Sequence, residues 1–200
     1  MNHVIETCPT GLFVDLMDPQ PEQICIEDVA WSLSRTARFN GATSGEFTYS
    51  VAQHSVWVSM AVQRFWNKDA DFALKALLHD AHEAYTGDIV TPMKQMDSIR
   101  AAITAIEARL QRVIHIALEV SCPGEEEQHI IKQTDTLASM VEAYHLQPSR
   151  GAHWDLPPAD LPRFIIDTFS PPLPPMLAYE QFMEAYCDLV SGRSLTAMCA

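Results

Sequence analysis

Leu77-Leu78-His79-Asp80-Ala81-His82-Glu83-Ala84-Tyr85 carries an adjacent histidine and aspartate at the end of an apolar helix. Phe72, Leu74, Ala76, Leu77, Leu78 and Ala81 recur at helical spacing and predict a core helix over residues 71–85. Ionisable side chains among such neighbours are costly unless partnered, so the pair requires other polar groups close by. His54 supplies one from the preceding helix, residues 51–66, where Val51, Ser55, Val58, Val62 and Phe65 trace an apolar face and Ser50 stands at the N-cap position. Asp135 supplies another. It interrupts the apolar series Ile130, Ile131, Leu137, Met140, Val141 and Tyr144 of a helix that opens at Glu125-Glu126-Glu127 and runs to about His145. Two imidazoles and two carboxylates from three helices form a donor set suited to a divalent transition metal, with positions left for water or substrate. Taken singly, each reads equally as a hydrogen-bonded core group or a helix cap.

Outward from these helices the chain stays helical. Residues 1–23 are turn-rich, with a short extended stretch or hairpin arm at 10–16, and residues 27–33 open with acids as a helix does. The glycines and small polar residues of 40–48 predict a loop. Gly87-Asp88-Ile89-Val90-Thr91-Pro92 breaks the pattern before a long helix that starts at Asp97 or Ser98 and carries Ile99, Ile103, Ile106, Leu110, Val113, Ile114 and Leu118, with Glu107, Arg109 and Arg112 on its exposed face. The Pro-rich stretch 147–175 is expected to wind over the surface, with a short helix at 159–169, before a last helix at 176–190. The fold class is therefore all-α, a bundle of about six or seven helices. An N-terminal arm (1–25) precedes one domain (26–200), whose core is 31–146 and whose C-terminal segment 147–200 wraps it.

With 48% hydrophobic residues in 200, the chain has enough apolar surface for a packed core. Its 26 acidic against 13 basic side chains, a net charge of −13, exclude nucleic acid polymers as partners, because non-specific binding depends on Lys and Arg releasing counterions. Any anionic ligand must be met by a local cluster of cations or by a metal. The start lacks the pattern of a signal peptide and no apolar run is long enough to span a bilayer, so no membrane partner and a cytoplasmic location are expected. Five scattered cysteines without a CxxC pair predict reduced, mostly buried thiols.

The wording around the four residues adds a resemblance. Ala52-Gln53-His54-Ser55, the run from His79-Asp80 through Glu83, Thr86-Gly87-Asp88 and Thr91-Pro92-Met93-Lys94, and Lys132-Gln133-Thr134-Asp135-Thr136-Leu137 resemble the H…HD…D signature of the HD-domain metal-dependent phosphohydrolases, an all-α superfamily. Within it they are most similar to the bacterial 5'-deoxynucleotidases and their phage-encoded relatives, over about residues 31–146.

The resemblance implies that His54, His79, Asp80 and Asp135 ligate one divalent transition metal, for which Co, Mn, Zn, Fe and Ni are better suited than Mg, and that water activated by it is the nucleophile. Glu83, one helical turn beyond His79, matches the family glutamate that positions or deprotonates water or assists the leaving group; its alternative is a hydrogen-bond partner of a ligand histidine. Asp88 matches the second acidic residue, which orders water or the sugar side of the substrate, and also reads as a turn aspartate. Arg38-Phe39 resembles an Arg-Trp pair whose arginine meets phosphate and whose aromatic ring helps exclude a 2'-hydroxyl; here Phe replaces Trp and the loop that comes after it is longer. Arg35 competes for that role. Lys94 is a further phosphate-contact candidate, Lys132 a weaker one, and His82 reads as a hydrogen-bonding group. His115 and His129 lie in contexts unlike two-metal motifs, so one metal is expected.

The implied function is hydrolysis of a deoxynucleoside monophosphate to deoxynucleoside and phosphate, with a small-molecule nucleotide as partner and a homodimer suggested by the resemblance alone. A deoxynucleoside triphosphate triphosphohydrolase on the same site and a non-catalytic nucleotide-binding module are the alternatives.

Overall fold

The computed structural model describes residues 3–153 and 161–192. A small hairpin opens the chain, β1 (Val4–Glu6) antiparallel to β2 (Phe13–Asp15) in the register Ile5 opposite Val14. Beyond the hairpin the chain is built from helices: α1 (Ile26–Leu33), α2 (Val51–Trp66), α3 (Ala70–Leu77), α4 (Glu83–Thr86), α5 (Thr91–Lys94), α6 (Asp97–Ala117), α7 (Glu125–Leu146), α8 (Arg163–Ile166) and α9 (Pro175–Val190). Six of these reach eight residues or more and α4, α5 and α8 are single turns, so the all-α expectation stands with the extra helices all short. None of the helices among the described residues is long and apolar enough to cross a membrane. Contrary to the expected burial of the cysteines, the described thiols are free and Cys8, Cys122 and Cys187 are exposed, with Cys25 half-buried.

The hairpin is fastened to α1 by a buried carboxylate. Asp28 accepts hydrogen bonds from Thr7 Oγ1 at 2.7 Å, from the Thr10 amide at 2.9 Å and from Thr10 Oγ1. Val14 then packs into the same core as Val29, Leu33, Leu77 and Phe182. Asp28→Ala is expected to cost about 3 kcal/mol in urea unfolding, because three donors, that of Thr7 buried, lose a buried charged acceptor; an unchanged midpoint would mean that the carboxylate does not hold the arm.

At the centre lies α2, packed against α3, α7 and α9. Ser50 caps it by accepting from the Gln53 amide at 3.2 Å, and Asn67 ends it in the left-handed conformation. The spacing predicts one apolar face, but α2 is buried nearly all round. Its polar residues make this tolerable. Ser59 donates to the Ala73 carbonyl at 2.7 Å, and Gln53 grips the Pro-rich segment, donating to Pro171 O at 2.9 Å and accepting from Leu173 N at 3.0 Å. Trp57 Nε1 donates to Thr168 Oγ1 at 3.0 Å, and the Phe169 ring stacks on His145 at 4.3 Å. The described part of the Pro-rich stretch is thus clamped onto α2. Of the short helix expected at 159–169, α8 falls within its span, and 154–160 lie outside the described residues.

The helix expected over 71–85 is broken after Leu77. A continuing helix would give the Ala76 carbonyl to the Asp80 amide. Here His79 Nδ1 donates to that carbonyl at 2.8 Å, and residues 78–83 wind through i to i+3 bonds instead. Gln111 of α6 secures the turn, donating to Leu78 O at 2.6 Å and accepting from His82 N at 3.2 Å.

Candidate active site

Three elements bring four donors together. His54 comes from the middle of α2, His79 and Asp80 from the turn after α3, and Asp135 from α7; their ligand atoms all lie within 4.8 Å of one another. His54 Nε2 stands 3.3 Å from His79 Nε2, 3.2 Å from Asp135 Oδ1 and 3.6 Å from Asp80 Oδ2, and His79 Nε2 is 3.1 Å from Asp80 Oδ2. Both imidazoles already have their protons placed on Nδ1. His54 Nδ1 donates to Glu142 Oε1 at 2.6 Å and His79 Nδ1 to a backbone carbonyl, so the Nε2 atoms of the two rings are left to face each other and two carboxylate oxygens.

That arrangement fits a cation. Donors held about 2.1 Å from one centre at tetrahedral or octahedral angles stand about 3.0–3.4 Å apart, and these separations fall in or near that range. Electrostatics show that the place suits positive charge: full burial and the repulsion of Arg38 oppose a charge on His54, yet the carboxylates of Glu142 and Asp135 raise it to about 9, so a cation bound there takes the place of a proton on Nε2. Burial works against the charge on Asp80 and Asp135 too, but the neighbouring histidines hold both below the usual carboxylate range. The mixed nitrogen and oxygen donor set is the kind that takes divalent transition metals.

Beside it lies a second layer of charge. Glu83, at the start of α4, is 3% exposed; its Oε1 is 3.5 Å from Lys94 Nζ and its Oε2 is buried without a hydrogen-bond partner. Burial, with repulsion from Asp80 and Asp88, pushes Glu83 up to about 9. Gly87 ends α4 at φ 74°, a conformation that glycine adopts freely, and the chain turns so that Asp88 joins this field; burial raises its carboxyl too. Lys94, from α5, pairs with Glu107 of α6 at 3.0 Å, and Glu107 also faces His82 Nε2 at 3.6 Å.

Arg38 is buried, donating from Nε to Glu142 Oε2 at 2.8 Å and from Nη2 to Ser139 Oγ at 2.9 Å. Glu142 comes first among the charges that hold it protonated against desolvation, with Asp135, Asp80 and Asp88 after it. Phe39 and Asn40 come next in the chain at φ 54° and 53°, a left-handed pair without glycine, which is strained backbone of the kind found beside functional sites. Phe39 is half-buried next to the guanidinium. Arg35 is exposed, its guanidinium 3.4 Å from the centre of the Trp31 ring, and its hydrogen bonds go to Trp31, Ser34 and Met176 rather than to the cluster. Lys132 reaches Asp135 Oδ2 at 2.7 Å from an exposed position.

Two further residues belong to the site beyond those the sequence singles out. Glu142 sits seven positions, two helical turns, beyond Asp135, and that spacing among Met140, Val141 and Ala143 is the signal that marks it as facing inward. Glu107 is expected on the exposed face of α6, yet it is half-buried on the side of Leu110 and Ile114, three and seven positions on, where it meets Lys94.

An all-α bundle in which a histidine, a His–Asp pair and a distant aspartate converge has the arrangement expected of the HD-domain class. The family model of YfbR-like 5'-deoxynucleotidases matches residues 30–147, more than half of the chain, and the chain belongs to that family. It is similar to an uncharacterized protein of Rhodobacter capsulatus, 37% identical over 67% of this chain and 68% of that one. It is also similar to the uncharacterized protein YfdR of Escherichia coli, 32% identical over 84% and 85% of the two chains. The 5'-deoxynucleotidase YfbR of Salmonella paratyphi B is 30% identical over 56% of this chain and 63% of its own.

Proposed function

We propose that the protein hydrolyses the 5'-phosphate ester of a deoxynucleoside monophosphate, releasing deoxynucleoside and phosphate, with His54, His79, Asp80 and Asp135 holding one divalent transition metal. The observation that carries this reading is the pair of Nε2 atoms 3.3 Å apart, facing two carboxylates, with the unpartnered Oε2 of Glu83 beside them. A metal bound there supplies Lewis acidity toward a phosphate oxygen and lowers the pKa of water.

The chain's own groups do the rest. Arg38 commits Nε and Nη2 to the protein and keeps the remaining edge of its guanidinium for the substrate's negative charge. Lys94 neutralises a second phosphate oxygen by leaving Glu83 and Glu107. Glu83 Oε2, buried and raised by Asp80 and Asp88, holds the proton that the departing 5'-oxygen needs, and Asp88 aligns the attacking water or the sugar. Phe39 forms the wall beside the sugar.

Lys94→Met is expected to raise KM about tenfold while leaving the bound metal unchanged and lowering the melting temperature of the metal-free protein by only a few degrees. An unchanged KM would remove Lys94 from the substrate site. The reading itself is tested by a panel of deoxy- and ribonucleoside mono- and triphosphates under Co, Mn, Mg and Zn, with products identified: phosphate plus deoxynucleoside from the deoxynucleoside monophosphates is the expected result, and no turnover of any of them overturns it.

One observation favours the triphosphohydrolase alternative. A cavity of about 410 Å³ between α3, α6 and α7 opens on His79, Asp80 and Asp135, and Lys75, Arg112 and Lys132 line it. These cations would suit a longer phosphate chain. Tripolyphosphate among the products of the triphosphate arm would establish that reading.

A further inference from the structure

Resting on the function proposed above, we infer that Glu142 is a positioning residue serving the metal ligand His54 and the substrate arginine Arg38 at once. Its carboxylate is 2% exposed, and its two oxygens serve different partners. Oε1 accepts from His54 Nδ1 at 2.6 Å and Oε2 from Arg38 Nε at 2.8 Å. The first bond fixes the tautomer. In the neutral ring that binds a metal, a proton on Nδ1 leaves Nε2 free toward Asp80, Asp135 and His79; the other tautomer would aim an N–H into the donor cluster and take His54 out of it. The second bond, with Ser139 Oγ on Nη2, fixes the plane of the guanidinium and decides which edge is left for a ligand.

A buried carboxylate with no other purpose would be a poor choice for a core, since burying a charge costs more than a packed apolar side chain unless the charge is needed. One negative charge is shared here between a group that must bind a cation and a group that is one. The two halves of the site are therefore linked. Removing Arg38 leaves the whole charge of Glu142 on His54 and takes a cation from the neighbourhood of the metal; removing the charge of Glu142 weakens both halves.

The test is Co(II) binding to chelator-treated protein, measured by calorimetry and by the visible absorption of the bound ion, with no turnover required. Glu142→Gln keeps the shape and is expected to weaken Co(II) binding about 10–100-fold and to raise KM, with the melting temperature of the metal-free protein changed by only a few degrees. Ser139→Ala touches Arg38 alone and should raise KM while leaving Co(II) affinity within about twofold. A folded Glu142→Gln protein that binds Co(II) as tightly as the unaltered chain overturns the inference. Should Glu142→Gln not fold, Arg38→Met decides: Co(II) binding at least about threefold tighter supports the linkage, and unchanged or weaker binding overturns it. A protein that binds Co(II) in this pattern but hydrolyses no deoxynucleotide would overturn the proposed function and leave the role of Glu142 in place.

Discussion

Asp80→Asn is expected to yield a folded protein that keeps less than about a tenth of the metal and loses on the order of 10³-fold or more in phosphate release. The amide retains the volume of the carboxylate, so the turn after α3, held by His79 Nδ1 on the Ala76 carbonyl and by Gln111, has no reason to collapse. What disappears is the negative charge 3.1 Å from His79 Nε2 and 3.6 Å from His54 Nε2, the oxygen that completes the donor set. Elemental analysis of protein purified without chelator reads the metal, and circular dichroism reads the fold. Full metal content in the variant would show that the ligands are others.

Glu83→Gln separates chemistry from metal binding. Its expected result is a fall in kcat of about 10²–10⁴-fold with close to one metal per chain retained, because Glu83 is not one of the group His54, His79, Asp80 and Asp135 and meets it only at Asp80, in a neighbouring group of Asp80, His82 and Glu83. Glutamine fills the same space and keeps an acceptor for Lys94, but it has no proton to exchange at the buried Oε2 position. Steady-state kinetics beside metal analysis decides. An unaltered kcat would return Glu83 to the bland role of a hydrogen-bond partner, and loss of metal would make it a supporter of the ligands.

The sequence made some of this legible because the relevant physics is local. The bounds of α2 come from Ser50 at its cap and the apolar spacing that begins with Val51, and both hold in the structure. The long helices α6 and α7 open and close where acids and loss of periodicity place them. Other features depend on contacts between distant residues. The break after Leu77 comes from one imidazole taking a backbone carbonyl, which no propensity encodes. The full burial of α2 depends on Gln53 and Trp57 meeting Pro171, Leu173 and Thr168, more than a hundred residues away.

The candidate site divides along the same line. His54, His79, Asp80 and Asp135 are conspicuous because each is ionisable within an apolar series, and the structure gathers all four. Arg38, Lys94, Glu83 and Asp88 come near them, whereas Arg35 lies over Trp31. Glu142 and Glu107 escape notice because a glutamate on a long helix reads as a solvated residue; only the two-turn step from Asp135 and the three- and seven-residue steps to Leu110 and Ile114 mark their faces. The acidic balance of the chain gains a local meaning here. Around the donor cluster Arg38 and Lys94 are both tied to glutamates, so a negatively charged substrate must compete with Glu142, Glu83 and Glu107 for them.

Whether these four side chains hold one metal with which the chain cleaves a deoxynucleotide phosphate ester is decided by titrating chelator-treated protein with Co(II) while measuring phosphate released from a deoxynucleoside monophosphate. Release should rise in proportion to added Co(II), break at one equivalent per chain and be abolished in Asp80→Asn. Release that ignores Co(II), or that persists undiminished in Asp80→Asn, would refute the assignment.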